Sequence, residues 1–173
     1  MQLDTGDAKG AETTARGIPG VFKQGRSTDD QGLTYSLLAV TLAEQGKAAE
    51  AQQASAKSNE LLAKAMDLAV RIQGDIDNGY VGGLLANSPR ADGSKRQGAA
   101  SALESAREKA NRFGYVGLEF EARLRLGKLE LRSGQTSASR THLRELQRDA
   151  RAKGFLLIAR QATDALHADP ARR

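Results

Sequence analysis

Apolar side chains recur at steps of three and four along most of this 173-residue chain, the spacing that gathers them on one side of an α-helix. The pattern is plainest from Ala48 to Gln73, where Ala51, Ala54, Ser58, Leu61, Leu62, Ala65, Leu68, Ala69 and Ile72 mark one long amphipathic helix. Ala99, Ala102, Leu103, Ala106, Ala110 and Phe113 repeat it at lower hydrophobicity. Leu118, Ala122, Leu126 and Leu129 make a third set; Ala138, His142, Leu143, Leu146 and Ala150 a fourth; Phe155, Ile158, Ala162, Ala165 and Leu166 a short last one. Upstream, Leu33 to Gln45 reads as a helix, with Thr28, Asp29 and Asp30 supplying cap and first-turn acid. Ala8 to Phe22 is a weaker helix, interrupted by Gly17, Pro19 and Gly20. Between 75 and 98, Gly79, Gly82, Gly83, Pro89 and Gly93 crowd the chain, and only a short helix near Tyr80 to Ala86 is expected.

The breaks between these helices are regular. Gly74, Gly114 and Gly154 lie 40 and 40 residues apart, and a second series, Gly6, Gly46, Gly93 and Gly134, is spaced 40, 47 and 41. Glycine readily takes the left-handed conformation that ends a helix, so two interleaved series imply a repeating helical hairpin of about 40 residues. Local sequence agrees at the same offset: Ala110-Asn-Arg-Phe-Gly-Tyr-Val-Gly-Leu118 lies over Ala150-Arg-Ala-Lys-Gly-Phe-Leu-Leu-Ile158.

With Leu38-Ala39, Leu42, Gly46, Ala48, Ala51 and Ser55 in one unit, the chain resembles a divergent tetratricopeptide array of the longer-helix type. Leu126-Gly127, Leu131 and Gly134 echo the unit, and Thr5-Gly6-Asp7-Ala8 with Ala11 and Ala15 looks like the turn and second helix of an earlier one. The family's Trp and Tyr positions are unfilled and its closing proline is missing. The spacing exceeds the usual 34 residues, so a HEAT-like hairpin geometry stays open. The resemblance implies an all-α fold, a right-handed superhelical stack of antiparallel helix hairpins (an α-solenoid). It implies one domain over 1–173, with units at about 1–27, 28–74, 75–114 and 115–154 and a capping helix at 155–167. Because the first unit begins at its turn, the chain reads as the C-terminal part of a larger protein. By the same resemblance the first helix of each hairpin lines a concave surface, placing Ser36, Val40, Glu44, Glu121, Arg125, Lys128 and Arg132 along a peptide groove.

Composition narrows the chemistry. Aromatics are 4 % and Trp is absent, so the core is built from Ala and Leu, which suits close-packed helices better than a β-sandwich. There is no Cys, which excludes disulfides, zinc–thiolate sites and thiol nucleophiles together and fits a cytoplasmic, reducing compartment. No stretch approaches the roughly 18 apolar residues of a membrane span, and no basic-then-apolar leader opens the chain. The net charge of +5 is uneven: residues 1–73 carry 8 Lys/Arg and 9 Asp/Glu, and residues 74–173 carry 18 and 12, so the halves are −1 and +6.

Asp75-Ile-Asp-Asn-Gly79 opens like a calcium loop, but Tyr80 and Ala86 stand where an EF-hand needs its glycine and bidentate Glu, so a capped inter-helix loop is expected and no metal. Gly79, Gly82 and Gly83 lack the Lys-Ser/Thr and the preceding strand of a P-loop. His142 and His167 have no nucleophile near them, and His142, beside Leu143 and Leu146, reads as a packing residue. The pairs Glu119/Glu121 and Glu104/Glu108 stand among Lys and Arg and read as solvated ion pairs. Arg140, Arg144, Arg148 and Arg151 form a basic stripe with Glu145 and Asp149 interleaved. No aromatic accompanies them for base stacking, so a solvated face is expected over a nucleic-acid site. These features point to a non-catalytic scaffold, without cofactor, that binds a peptide or protein and belongs to a bacterial multidomain regulator. A nucleic-acid-associated module using the basic half is the alternative. Self-association through an open N-terminal hairpin is a third possibility.

Overall fold

A computed structural model describes Thr13 and residues 27–87, 93–134 and 136–168. Among the described residues seven helices and no strand are found: α1 Thr28–Glu44, α2 Ala48–Leu62, α3 Leu68–Ala86, α4 Gly93–Arg112, α5 Val116–Arg132, α6 Thr136–Ala152 and α7 Leu156–His167. The weak helix expected at Ala8 to Phe22, the unit 1–27 and Gly6 fall outside the described residues, Thr13 and Ser27 apart.

Local chemistry sets the helix ends. The Ser27 hydroxyl accepts the Asp30 N–H at 3.3 Å and starts α1, a normal N-cap role. Gly46, Gly114, Gly134 and Gly154 all have positive φ, between 76° and 86°, and end α1, α4, α5 and α6 as their spacing predicts. In three of these turns the residue after glycine returns its N–H to a carbonyl five residues back: Lys47 to Leu42 at 2.9 Å, Tyr115 to Ala110 at 2.9 Å, Phe155 to Ala150 at 2.8 Å. That is the bond pattern of the Schellman turn, which satisfies carbonyls the helix end would otherwise orphan.

Two glycines of the predicted series are not turns. The helix expected from Ala48 to Gln73 is broken at 63–67, a turn with no glycine, where Ala65 bonds back to Leu62 at 3.0 Å and the Asp67 carboxylate accepts the Ala69 N–H at 2.8 Å to start α3. Gly74 and the cluster Gly79, Gly82 and Gly83 then lie inside α3, and Gly93 is the first residue of α4. The unit boundary expected at 74 therefore falls within a helix, and α3 is long where a short helix was expected.

The interior glycines are recesses for leucines of neighbouring helices. A Cβ at Gly74, or at Gly32 of α1, would collide with Leu62, and one at Gly83 would collide with Leu129. At Gly127 an added Cβ would stand 2.7 Å from Leu143, and at Gly79 3.2 Å from Leu103. Along the same α3, Ile72, Ile76 and Tyr80 recur every four residues at 0 % exposure, so the apolar face runs unbroken through the glycines.

The helices pack in a consistent order. Each odd-numbered helix lies against the next odd one, α1 on α3, α3 on α5 and α5 on α7, and each even-numbered helix packs on the odd helices before and after it. The core divides accordingly into a cluster from α1, α2 and α3 around Leu42 and Tyr80, one from α3, α4 and α5 around Ile76 and Leu103, and one from α5, α6 and α7 around Phe120 and Leu143. Phe120 and Phe155 meet edge to face, ring centroids 5.3 Å apart, which ties α7 to α5.

Candidate functional site

The residues that sequence analysis assigned to a groove converge on the odd-numbered helices, but in a different arrangement. Ser36 of α1 donates its hydroxyl to Asp77 Oδ2 of α3 at 2.8 Å. On the other side of Asp77, the Arg125 guanidinium of α5 stands 3.6 Å from Oδ1 and 3.3 Å from Glu121 Oε1, and it covers the Tyr80 ring at 4.6 Å. Tyr80 in turn donates its hydroxyl to Glu44 Oε1 at 3.2 Å. Ser36, Glu44, Glu121 and Arg125 are thus joined by Asp77 and Tyr80 into one polar seam across α1, α3 and α5.

Burial sets the electrostatics of this seam. Asp77 is pushed up to about 6, first because burial penalises its charge, against which the Arg125 attraction at 3.6 Å acts only in part. Burial and the neighbouring Glu44 raise Tyr80 to about 12. Arg125 loses solvation, yet Asp77 and Glu121 hold it above its ordinary range, so it stays a cation; its Nε is buried with no hydrogen-bond partner. Lys128, one turn along α5, is lowered by burial and then by Arg125.

Two of the expected groove residues are corrected. Ser36 and Val40 are both 0 % exposed: Ser36 is consumed by Asp77, and Val40 is core between α1 and its neighbours, so neither lines a surface. Glu44, Glu121, Arg125 and Lys128 are partly buried and Arg132 is exposed. Asp77, expected in an inter-helix loop, lies within α3 and is the centre of the arrangement. The signal for it was the four-residue recurrence of Ile72, Ile76 and Tyr80, which carries the helix through the glycines and sets Asp77 beside them.

The other candidates are placed as follows. Asp75 and Asp77 sit in mid-helix and diverge, Asp75 pairing with Lys109 of α4 at 2.9 Å at the surface, so the expected inter-helix loop is absent. Among the described residues no group of three or more His, Cys, Asp or Glu is arranged to hold a metal. His142 is not a packing residue: its side chain is 57 % exposed, with Nδ1 3.0 Å from Glu130 Oε2. His167 is exposed at the end of α7. Of the carboxylates, Glu119 and Asp149 flank Arg123 at 3.6 and 3.1 Å, and Glu104 is held by Arg107. In the basic stripe Arg144, Arg148 and Arg151 are exposed and Arg140 is half-buried, with Arg148 3.3 Å from Asp149.

Clefts open between successive even-numbered helices. The one between α2 and α4, about 910 Å³, is floored by Gly79 and Gly82 of α3 and edged by Gln52, Asn59, Ala102 and Ser105. Its counterpart between α4 and α6, about 560 Å³, is lined by the polar side chains Arg107, Arg123, Glu130 and His142. Compared with known proteins, the chain matches no family model, and no curated protein or solved structure matches it significantly.

Proposed function

We propose that the chain is a non-catalytic scaffold that binds a peptide or partner protein across the side where α1, α3 and α5 lie together, on a tetratricopeptide-like stack of hairpins wound into a right-handed superhelix. The packing order supports the stack: no hairpin buries its apolar faces alone, and neighbours complete each core cluster. One observation carries the binding reading. Lys128 is partly buried beside Arg125, is held in no ion pair among the described residues, and has its charge disfavoured there. A carboxylate or carbonyl from a partner, arriving between Lys128 and the exposed Arg132, would restore what the lysine has lost to burial. No catalytic role is proposed for the seam, since its acids are already engaged by Ser36, Arg125 and Tyr80. A reducing, cytoplasmic compartment belongs to the same reading and is supported by the lack of Cys in the sequence.

The test is capture of protein partners from a lysate, or of peptides on an array, by the wild-type chain and by Lys128→Ala/Arg132→Ala. Partners lost on substitution support the reading. Retention of every partner, or turnover of a substrate by the isolated chain, overturns it. The exposed Arg144, Arg148 and Arg151 favour a second reading, nucleic-acid association. It is eliminated if filter binding at about 50 mM salt detects no DNA or RNA affinity.

A further inference from the structure

The large apolar side chains that remain exposed among the described residues are Met66 at 93 %, Leu156 at 65 %, Phe113 at 54 % and Leu157 at 48 %. All four lie at or beside the turns that lead from an even-numbered helix into the next odd one, at 63–67, 113–115 and 153–155. These turns form one row. Ala63 of the first turn and Arg71 just past it share a cavity of about 590 Å³ with Arg112, at the end of α4, and Phe113 of the second turn. Phe155 of the third packs within reach of Gly117, just past the second. The opposite ends of the helices carry Gln45-Gly46-Lys47, Asn87 and Ser133-Gly134, with no large apolar group.

Cations flank the same row. Lys64, Arg71, Arg112, Arg151 and Lys153 are exposed and, among the described residues, none is held in an ion pair; the Lys153 ammonium lies over the Phe120 ring, 5.7 Å from its centroid. Most acids there are already held: Glu60 by Lys57 at 2.8 Å, Asp75 by Lys109 at 2.9 Å, Asp149 by Arg123 at 3.1 Å, and Asp67 as the α3 cap; Glu108 stands one turn before Arg112, and Asp29 and Asp30 lie on α1. Bases in a last helical turn complement the helix dipole, which accounts for Arg112 and Arg151. It does not account for apolar side chains held in water at each neighbouring tip.

We infer that this edge docks on an anionic lipid surface, the apolar tips entering the headgroup boundary while the lysines and arginines meet lipid phosphates and carboxylates. Separate apolar points, each set beside a base and aligned in a row, suit a planar anionic phase. A protein hot spot would instead gather its apolar groups into one packed centre. No helix of the described residues is long and apolar enough to cross a membrane, so the attachment is peripheral. The edge is separate from the α1/α3/α5 face, and either assignment can fail without the other.

Co-sedimentation of the 173-residue chain with phosphatidylcholine vesicles containing about 30 % phosphatidylserine, and with phosphatidylcholine alone, tests the inference. The expected result is pelleting with the anionic vesicles, at least about tenfold weaker on the neutral ones, and abolished near 500 mM salt. Met66→Ser/Phe113→Ser/Leu156→Ser and Lys64→Glu/Arg112→Glu/Lys153→Glu, with unchanged helical circular dichroism, should each weaken it by about tenfold or more. Lys95→Glu/Arg96→Glu, at the opposite end of α4, should not. Failure to pellet, equal pelleting on neutral vesicles, or equal loss with the Lys95/Arg96 variant overturns the assignment. So does a lipid-free dimer that the serine variant dissociates, which would make the edge a contact between copies.

Discussion

Replacing Gly74 by Ala separates the two roles a helix-interior glycine can have. By intrinsic propensity the substitution should help α3, since Ala exceeds Gly by about 1 kcal/mol in a helix interior. The added Cβ, however, would land on the Leu62 side chain, and Leu62 has no room to retreat because it is 6 % exposed and already rests against Gly32 of α1. Overpacking of this kind costs about 1–3 kcal/mol, so the net expectation is a loss of about 1 kcal/mol. Gly98→Ala supplies the internal reference, because Gly98 is exposed on α4 with nothing within 4 Å of its missing Cβ; it should gain about 1 kcal/mol. The two variants should then differ by about 2 kcal/mol, or roughly 1 M in urea midpoint for a protein of this size. Urea unfolding followed by far-ultraviolet circular dichroism reads this directly. In a Leu62→Ala background, itself expected to cost about 2–5 kcal/mol, the penalty of Gly74→Ala should vanish or change sign. If Gly74→Ala stabilises the wild-type chain as much as Gly98→Ala does, the recess account of the α3 glycines is wrong.

Other expectations concern the seam and the turns. Because burial raises Asp77 to about 6, against about 3.9 for an unfolded Asp, the folded chain holds that proton more tightly. Asp77 should therefore lower stability as pH rises from about 4 to about 6, and have no further effect above that. The wild-type minus Asp77→Asn difference in unfolding free energy, measured across this range, should fall; a rise refutes the sign. Arg125→Met leaves the Asp77 charge buried without its cation and should cost about 3–5 kcal/mol at neutral pH, and distinctly less at pH 4, as read by urea unfolding at the two pH values. Gly114→Ala places a Cβ in open space but keeps φ at +76°, so it should cost about 1–2 kcal/mol from backbone strain alone, visible as a few degrees in thermal midpoint.

The sequence was most informative where one residue decides a local outcome. Left-handed glycines at 46, 114, 134 and 154 announce four helix ends, and the periodicity places Ala122 of α5, Leu143, Leu146 and Ala150 of α6 and Ala162 of α7 in the interior, while it misses the buried Phe120, Leu124 and Leu131 of α5 and sets the exposed Ala138 and His142 on the apolar face of α6. It misled where the same residue type serves packing. Gly74 and Gly93 fit the turn spacing numerically, yet Gly74 is held in a helix by Leu62 and Gly93 opens one. The true break at 63–67 depends on a single aspartate cap, which the helical spacing of Leu61, Leu62, Ala65 and Leu68 conceals. The candidate face shows the same division. Glu121, Arg125, Lys128 and Arg132 share a face of α5 by spacing alone, whereas the burial of Ser36 and Val40 arises from α3 lying against α1. That contact is tertiary, and so is the meeting of Asp77 with Ser36 and Arg125.

The substantial helix contacts all join elements one or two apart in the chain. Such local connectivity keeps loop-closure entropy small at every step, so folding can nucleate at any adjacent pair and spread outward, at the speeds typical of low contact order. Among the described helices it leaves α7 weakly held, since its substantial contacts are with α6 and α5 alone. Pulled from its C-terminus, the chain should peel away α7 and then α6 while the helices around Tyr80 still hold their shape.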